Sequence, residues 1–290
     1  IPYVNPSAKV YKGDILNPKT LKVIKNWRPD IIFHLAAHAG GEGSYDDPKM
    51  DFLVNGFGTM KLAELAKNIN CKKFIYTSTV AVYGNNKKKI NENSKIDPES
   101  YYGISKFAGE LFLKQIFKKN NTNVTIFRLF NTFGPGEDLR NTKKGMVGIY
   151  SYYLWQKKPL VVKGSLNRFR NFVYIDDCIS ILYDSIDNKK LNKYQTINLT
   201  SGKKVTIKKL IKIIFKINKI NDYPLITQKN TPGDSFGTHA SEKLLLNKFK
   251  NFKFMQLEKS LIRYFDWIKE LPINANLKKF HPLERKRNRK

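Results

Sequence analysis

The chain has 290 residues, enough for one large domain or two modest ones with a sizeable core. At 41% hydrophobic, 13% aromatic and 27% charged, its composition is globular and excludes wholesale disorder. The formal net charge of +29 would suit a polyanion, yet only nine of the 53 basic residues are arginine, the side chain suited to bidentate phosphate and base recognition.

In chain order, Asp30 to Ala37 reads as a strand buried on both faces and ending in small residues. Phe52 to Asn68 has helical spacing through Leu62, Leu65 and Ala66, and Lys73 to Ser78 is a second buried strand. Ser100 to Lys118 is a long helix with an apolar stripe at Phe107, Leu111 and Phe112, and Val124 to Phe130 is a third strand. This alternation implies parallel crossovers and an α/β, doubly wound, Rossmann-like sheet. Beyond Gly134 the pattern loosens into a helix at Gly145 to Gln156, then strands at Leu160 to Lys163 and Asn171 to Ile175. Helices follow at Ile207 to Ile217, Ser241 to Phe249 and Leu257 to Leu271. The expected organisation is a cofactor-binding domain over 1–138, to which 171–200 return. A smaller mixed α/β substrate lobe covers 139–170 and 201–275, and a basic, disordered tail covers 281–290.

No apolar run reaches the roughly 18 residues a membrane helix needs, and no basic stretch precedes an apolar one at the start. Cys71 and Cys178 are too few for a disulfide framework or a four-ligand zinc site, and both sit in apolar stretches as reduced thiols. A cytoplasmic setting is therefore expected, with no membrane partner. The 44 lysines lie beside abundant Asn, Ile, Phe and Tyr, a joint bias that an AT-rich genome produces whatever the function. Solvated lysine faces are the reading, and no nucleic-acid partner is expected.

Chemistry concentrates in Tyr101-Tyr102-Gly103-Ile104-Ser105-Lys106, with Thr77-Ser78-Thr79 at the end of a strand. Tyr102 and Lys106 are four apart and share a helix face. A nearby ammonium would pull the phenol down from about 10 toward neutrality. A threonine hydroxyl could then bridge phenol and substrate while a carbinol loses its proton and hydride. On spacing alone, a surface tyrosine beside a solvated lysine is the commoner outcome.

The order of motifs decides. The chain carries Gly13-Asp14-Ile15, His34-Leu35-Ala36-Ala37, Asn55-x-x-Gly58-Thr59 and Thr77-Ser78-Thr79-Val80-Ala81-Val82-Tyr83-Gly84, then Tyr102-x-x-x-Lys106. Arg128-Leu129-Phe130-Asn131-Thr132-Phe133-Gly134-Pro135-Gly136 and Arg170-Asn171-Phe172-Val173-Tyr174-Ile175-Asp176-Asp177 follow. In this it resembles the extended short-chain dehydrogenase/reductase family, in its NAD-dependent nucleotide-sugar epimerase and dehydratase branch. The resemblance implies a catalytic trio of Thr79, Tyr102 and Lys106. It implies NAD held by Asp14, Ile15, Leu35, Ala36, Ala37, Asn55, Thr77, Ser78 and Phe130, together with Tyr102 and Lys106. Thr79, Asn131 and Arg170 would contact the nucleotide-sugar substrate, a UDP-sugar for preference. No metal is implied, and the assembly would be a homodimer. His34 is expected as a packed strand histidine, and Asp176 and Asp177 as caps of a helix starting near Cys178.

Three features depart from the pattern or narrow it. No Gly-x-x-Gly-x-x-Gly turn precedes Gly13, so the resemblance implies a preceding segment of about 40 to 50 residues, one βαβ unit and its approach. Thr231 stands before Pro232-Gly233-Asp234 where many relatives carry arginine for a substrate phosphate. Val80-Ala81 stand where sugar dehydratases carry an acid and a base, and Thr132-Phe133 stand where epimerase-reductases carry a cysteine. Simple redox at one carbon survives. The implied reaction is 4-epimerisation through a transient 4-keto sugar, with a 4-keto-sugar reductase or dehydrogenase as the alternative.

Overall fold

The computed structural model of the chain describes residues 4–86, 88–143, 145–230 and 235–271. The Thr231–Asp234 motif, the end of the expected lobe and the basic tail lie outside the described residues. The first half comprises α1 (Pro18–Trp27), β1 (Ile31–His34), α2 (Gly41–Asp46), α3 (Pro48–Asp51) and α4 (Thr59–Asn68). It continues through β2 (Lys73–Thr79), β3 (Lys89–Ile90), α5 (Tyr101–Ile116), β4 (Asn123–Leu129) and β5 (Asn131–Phe133). The second half adds α6 (Met146–Trp155), β6 (Leu160–Lys163), β7 (Phe169–Arg170), β8 (Phe172–Tyr174), α7 (Ile175–Asp184) and β9 (Tyr194–Leu199). The remaining elements are β10 (Val205–Thr206), α8 (Ile207–Ile217), β11 (Leu225–Gln228), β12 (His239–Ala240), α9 (Lys243–Lys248) and α10 (Leu257–Glu270).

The central sheet is parallel, in the order β1-β2-β4-β9, and the intervening helices serve as crossovers. Strand alternation assigns each face its own core. Phe74, Tyr76, Val124 and Ile126 pack against Leu62, Leu65 and Leu113 of α4 and α5. Ile75 and Phe127 face the other way, with Ile181 of α7 and Leu245 of α9. A third cluster joins α6, α8 and α10 with the β6/β11 pair through Tyr150, Leu160, Leu210, Ile214, Leu261 and Tyr264.

Local signals set the helix starts. Asn17 accepts from Lys19 N ahead of Pro18, Ser100 Oγ accepts from Gly103 N, and Thr206 caps α8. Four expectations change. β1 is not buried on both faces, because Phe33 is 37% exposed on this edge strand. The segment Phe52–Gly58 is π-helical, wider than the regular helix its spacing suggests. α7 begins at Ile175, so Asp176 and Asp177 lie inside its first turn, where Asp177 accepts from Met255 N at 3.1 Å.

The fourth concerns α5. Leu111 is exposed and Phe107 and Phe112 are only half-buried, while Gly103, Ser105, Lys106, Gly109, Glu110 and Leu113 are buried. Glycine makes this close approach possible. A Cβ at Gly103 would lie 2.7 Å from the Ala81 carbonyl oxygen, and one at Gly109 would lie 2.5 Å from the Tyr76 hydroxyl.

Candidate active site

The parallel sheet delivers the ends of β1, β2 and β4 to one edge, and the first two turns of α5 pack across it. Thr79 closes β2, its hydroxyl favours ionisation of the Tyr102 phenol, and its Oγ1 accepts from Ala81 N at 3.2 Å. Ser44, fully buried in α2, accepts from Tyr102 N at 2.8 Å and ties that helix to the start of α5.

Lys106 lies one helical turn beyond Tyr102 and is 1% exposed. Its ammonium sits 4.1 Å from the centre of the Tyr76 ring, and Tyr76 stacks on His34 at 5.3 Å. Among the described residues that ammonium makes no hydrogen bond, so burial pushes the amine down to about 7, with Glu110 opposing. Burial also pushes the Tyr102 phenol up to about 12, and the Thr79 hydroxyl only partly offsets this. The expected fall toward neutrality does not occur in the chain alone, because desolvation outweighs the help from Thr79 and the Asp51 charge adds to it. His34 is a packed strand histidine, as expected. It is held down to about 3 by burial and by the charge of Lys106, and its Nε2 lies 2.8 Å from Thr59 Oγ1.

The remaining expected site residues divide into three groups. Leu35 and Ala36 are exposed and Ala37 is half-exposed beyond the end of β1, an open shelf of mostly small side chains. Thr77 faces this side and donates to the His34 carbonyl oxygen at 3.4 Å. Asp14 turns the chain by accepting from Leu16 N, and a Cβ on Gly58 would come within 2.8 Å of Ile15 Cδ1. Asn131 is half-buried and donates to the Asn171 carbonyl oxygen at 3.3 Å where β5 pairs with β8. Arg170 is buried, and its guanidinium donates to the carbonyl oxygens of Phe169, Ser235 and Phe236.

Three further residues expected at the cofactor are packed within the protein. Ser78 follows the two-residue strand period onto the opposite face from Thr77 and Thr79, and it donates to Glu110 Oε1 at 2.5 Å. Asn55 is fully buried and its amide is already committed. It accepts from His38 N and donates to the His38 carbonyl oxygen at 2.8 Å and to Ser105 Oγ at 3.0 Å. Phe130 is 2% exposed within the core that holds Phe127 and Ile197.

Two arrangements were not legible beforehand. Glu110 receives Arg128 through Nε at 3.0 Å and Nη2 at 2.6 Å, and Arg128 also donates to Tyr83 OH at 2.7 Å. The lone acid four residues after Lys106, on a face of glycine and serine, is the signal that could have exposed it. His38 Nδ1 meets Asp51 Oδ1 at 2.6 Å, and no sequence spacing announces that pair. Among the described residues no cluster of His, Cys, Asp or Glu could hold a metal, both cysteines are free and buried, and no helix is long and apolar enough to cross a membrane.

Known proteins show the same architecture. The UDP-glucuronate 4-epimerase of Thermodesulfobacterium geofontis is 29% identical over 269 residues, 90% of this chain and 80% of that protein. The crystal structure of UDP-glucuronic acid 4-epimerase from Bacillus cereus, in complex with UDP-glucuronic acid and NAD, superposes with a TM-score of 0.83 at 26% identity. It covers 93% of this chain and 84% of the other. The UDP-N-acetylglucosamine 4-epimerase from Methanobrevibacter ruminantium gives a TM-score of 0.82 at 27% identity, over 90% and 83% of the two chains. A family model matches residues 2–200, and the chain belongs to the NAD dependent epimerase/dehydratase family.

Proposed function

We propose that the protein interconverts a UDP-sugar with its C4 epimer through a transient 4-keto sugar. One observation carries the reading: Thr79, at the end of β2, acts on the Tyr102 phenol at the start of α5, with the buried Lys106 one helical turn farther along. The NAD that this family uses fits these residues. An almost fully buried lysine whose ammonium makes no hydrogen bond among the described residues suits a ribose diol, and the shelf at Leu35–Ala37 leaves backbone open to a ligand. Asp14 and Ile15, at the turn packed on Gly58, would flank its adenine end.

Bound NAD supplies a reversible hydride acceptor at the sugar carbon. The protein's own residues do the rest. Tyr102 holds and moves the proton at the C4 oxygen, and Thr79 bridges phenol and substrate. Lys106 favours the phenolate through its charge, which acts strongly in so dry a site. Asn131, half-buried in β5, offers an amide to the nucleotide diphosphate, and Arg170, buried and donating to three backbone carbonyl oxygens, brings its positive charge to the same side. In this arrangement the sheet side, 1–138 with 171–200, carries the cofactor, and the lobe of 139–170 and 201–275 carries the sugar nucleotide.

UDP-glucose, UDP-glucuronic acid and UDP-N-acetylglucosamine relate to the relatives' substrates and form the test panel. Incubation with catalytic NAD should convert at least one of them into a mixture with its C4 epimer, read by proton NMR. Stoichiometric NAD reduction without an epimer would replace this reading with that of a dehydrogenase.

A further inference from the structure

Apart from the trio, the segment after β1 carries a histidine paired with a buried carboxylate. His38 follows the shelf at Leu35–Ala37, and its Nδ1 lies 2.6 Å from Asp51 Oδ1. A carboxylate only accepts, so Nδ1 carries the hydrogen and Nε2 is left bare. Asp51 is 1% exposed, and its Oδ2 has no hydrogen-bond partner among the described residues, so its charge is available to stabilise an imidazolium.

The His38 backbone is tied to the helix that carries Tyr102 and Lys106. Asn55 grips the His38 backbone at both N and O and donates its third bond to Ser105, between Tyr102 and Lys106 on α5. Asp51 and Asn55 lie four residues apart across the start of the π-helical turn, and the Asp51 charge is felt at the Tyr102 phenol. The His38 side chain is 32% exposed and lines a cavity of about 300 Å³ with Gly40, Gly43, Asn141 and Lys143. A histidine oriented by a buried carboxylate, open to a cavity and clamped to the catalytic helix, is the construction of a general base.

We propose that His38, oriented by Asp51, removes and returns a carbon-bound proton on a carbon flanking the 4-keto group. The proposal rests on the 4-epimerase reading, because oxidation at C4 is what acidifies those C–H bonds. His38 Nε2 takes the proton as the C–H bond breaks. The electron pair becomes a carbon–carbon double bond, the carbonyl π pair moves to the C4 oxygen, and the Tyr102 hydroxyl donates to the resulting enolate. The imidazolium, paired with Asp51, then returns a proton to the same carbon. Return on the same face exchanges hydrogen with solvent, and return on the other face inverts a second centre. No oxidant is consumed, and the inert Val80-Ala81 pair need take no part.

Deuterium oxide separates this step from C4 inversion, since a hydride withdrawn and returned within the site brings in no solvent hydrogen. The protein is incubated with NAD and each of the three UDP-sugars in deuterium oxide. C4 inversion is followed by NMR and carbon-bound deuterium by mass spectrometry. The expected result is one carbon-bound deuterium next to C4. The ratio of exchange to C4 inversion should fall at least about tenfold in His38→Gln, the lower end for a positioned base. It should fall several-fold in Asp51→Asn, which removes the orienting charge and supplies a second variant should the first not fold. C4 inversion without carbon-bound deuterium, or an unchanged ratio in His38→Gln, overturns the proposal. Absence of C4 inversion with all three sugars overturns the epimerase reading and this proposal with it.

Discussion

Tyr102, Thr79 and Lys106 differ in what each loses on substitution. Tyr102→Phe keeps the ring packing and removes the proton carrier, so turnover should fall by roughly 10²- to 10⁴-fold with an unchanged circular dichroism spectrum. Steady-state rates check it, and retention of more than a tenth of the activity refutes the assignment. Thr79→Val removes one bridging hydroxyl and should cost less than the tyrosine change, while Thr79→Ser should be mild. Lys106 adds a stability signature. Its folded value of about 7 lies below the ordinary lysine value, so from about 7 up to that value the unfolded chain binds more protons and this residue makes stability rise with pH. Below about 7 its enforced charge is a full burden on the fold. Thermal melts of Lys106→Met should therefore show higher stability than wild type in the cofactor-free protein at pH 6–7. That advantage should shrink toward pH 10, and a pH-independent difference would contradict it.

α5 shows how an element can be read correctly in extent and wrongly in orientation. The expected helix over Ser100 to Lys118 exists as Tyr101–Ile116, with Ser100 as its cap. Its buried face consists of glycine, serine, lysine and glutamate, because the helix lies close against β2 and must present Tyr102 and Lys106 inward. Larger apolar residues do not fit there, so Leu111 is left outside. Gly109→Ala tests this. Alanine improves helix propensity by about 1 kcal/mol. Yet its Cβ would meet the Tyr76 hydroxyl at 2.5 Å and the Asn55 carbonyl oxygen at 3.1 Å. Overpacking should dominate, with a net loss of about 1–3 kcal/mol in urea unfolding. A stabilised variant would show that the helix can move outward.

Across the whole molecule, one polar network joins pieces far apart in sequence. Ser78 on β2, Glu110 on α5 and Arg128 on β4 share bonds, and Tyr83 extends them to Asn198 on β9 at 2.8 Å. Arg128 and Glu110 are 6% and 5% exposed, so removing one leaves an uncompensated buried charge. Arg128→Met should lose about 3–5 kcal/mol. Glu110→Leu with Arg128→Met should recover much of that loss, since apolar pairs of similar volume avoid the desolvation penalty. Guanidinium unfolding midpoints of the single and double variants check it, and additive losses would show that the pair itself stabilises the fold. The parallel sheet and the spacing of Tyr102 and Lys106 on α5 were legible because each rests on local periodicity. The network was not, because its members lie 18 to 115 residues apart.

By itself the sequence determined the doubly wound α/β class, the positions of β2, β4 and α5, and the sharing of one helix face by Tyr102 and Lys106. These follow from periods of two and 3.6 residues and from cap residues, all interactions within a few positions. Tertiary structure alone decided which way Ser78, Asn55 and Phe130 point, and it paired His38 with Asp51. It also set the Tyr102 phenol high and the Lys106 amine low. Those outcomes depend on burial and on partners brought together by the crossovers, and desolvation is a property of the packed site that no local spacing carries.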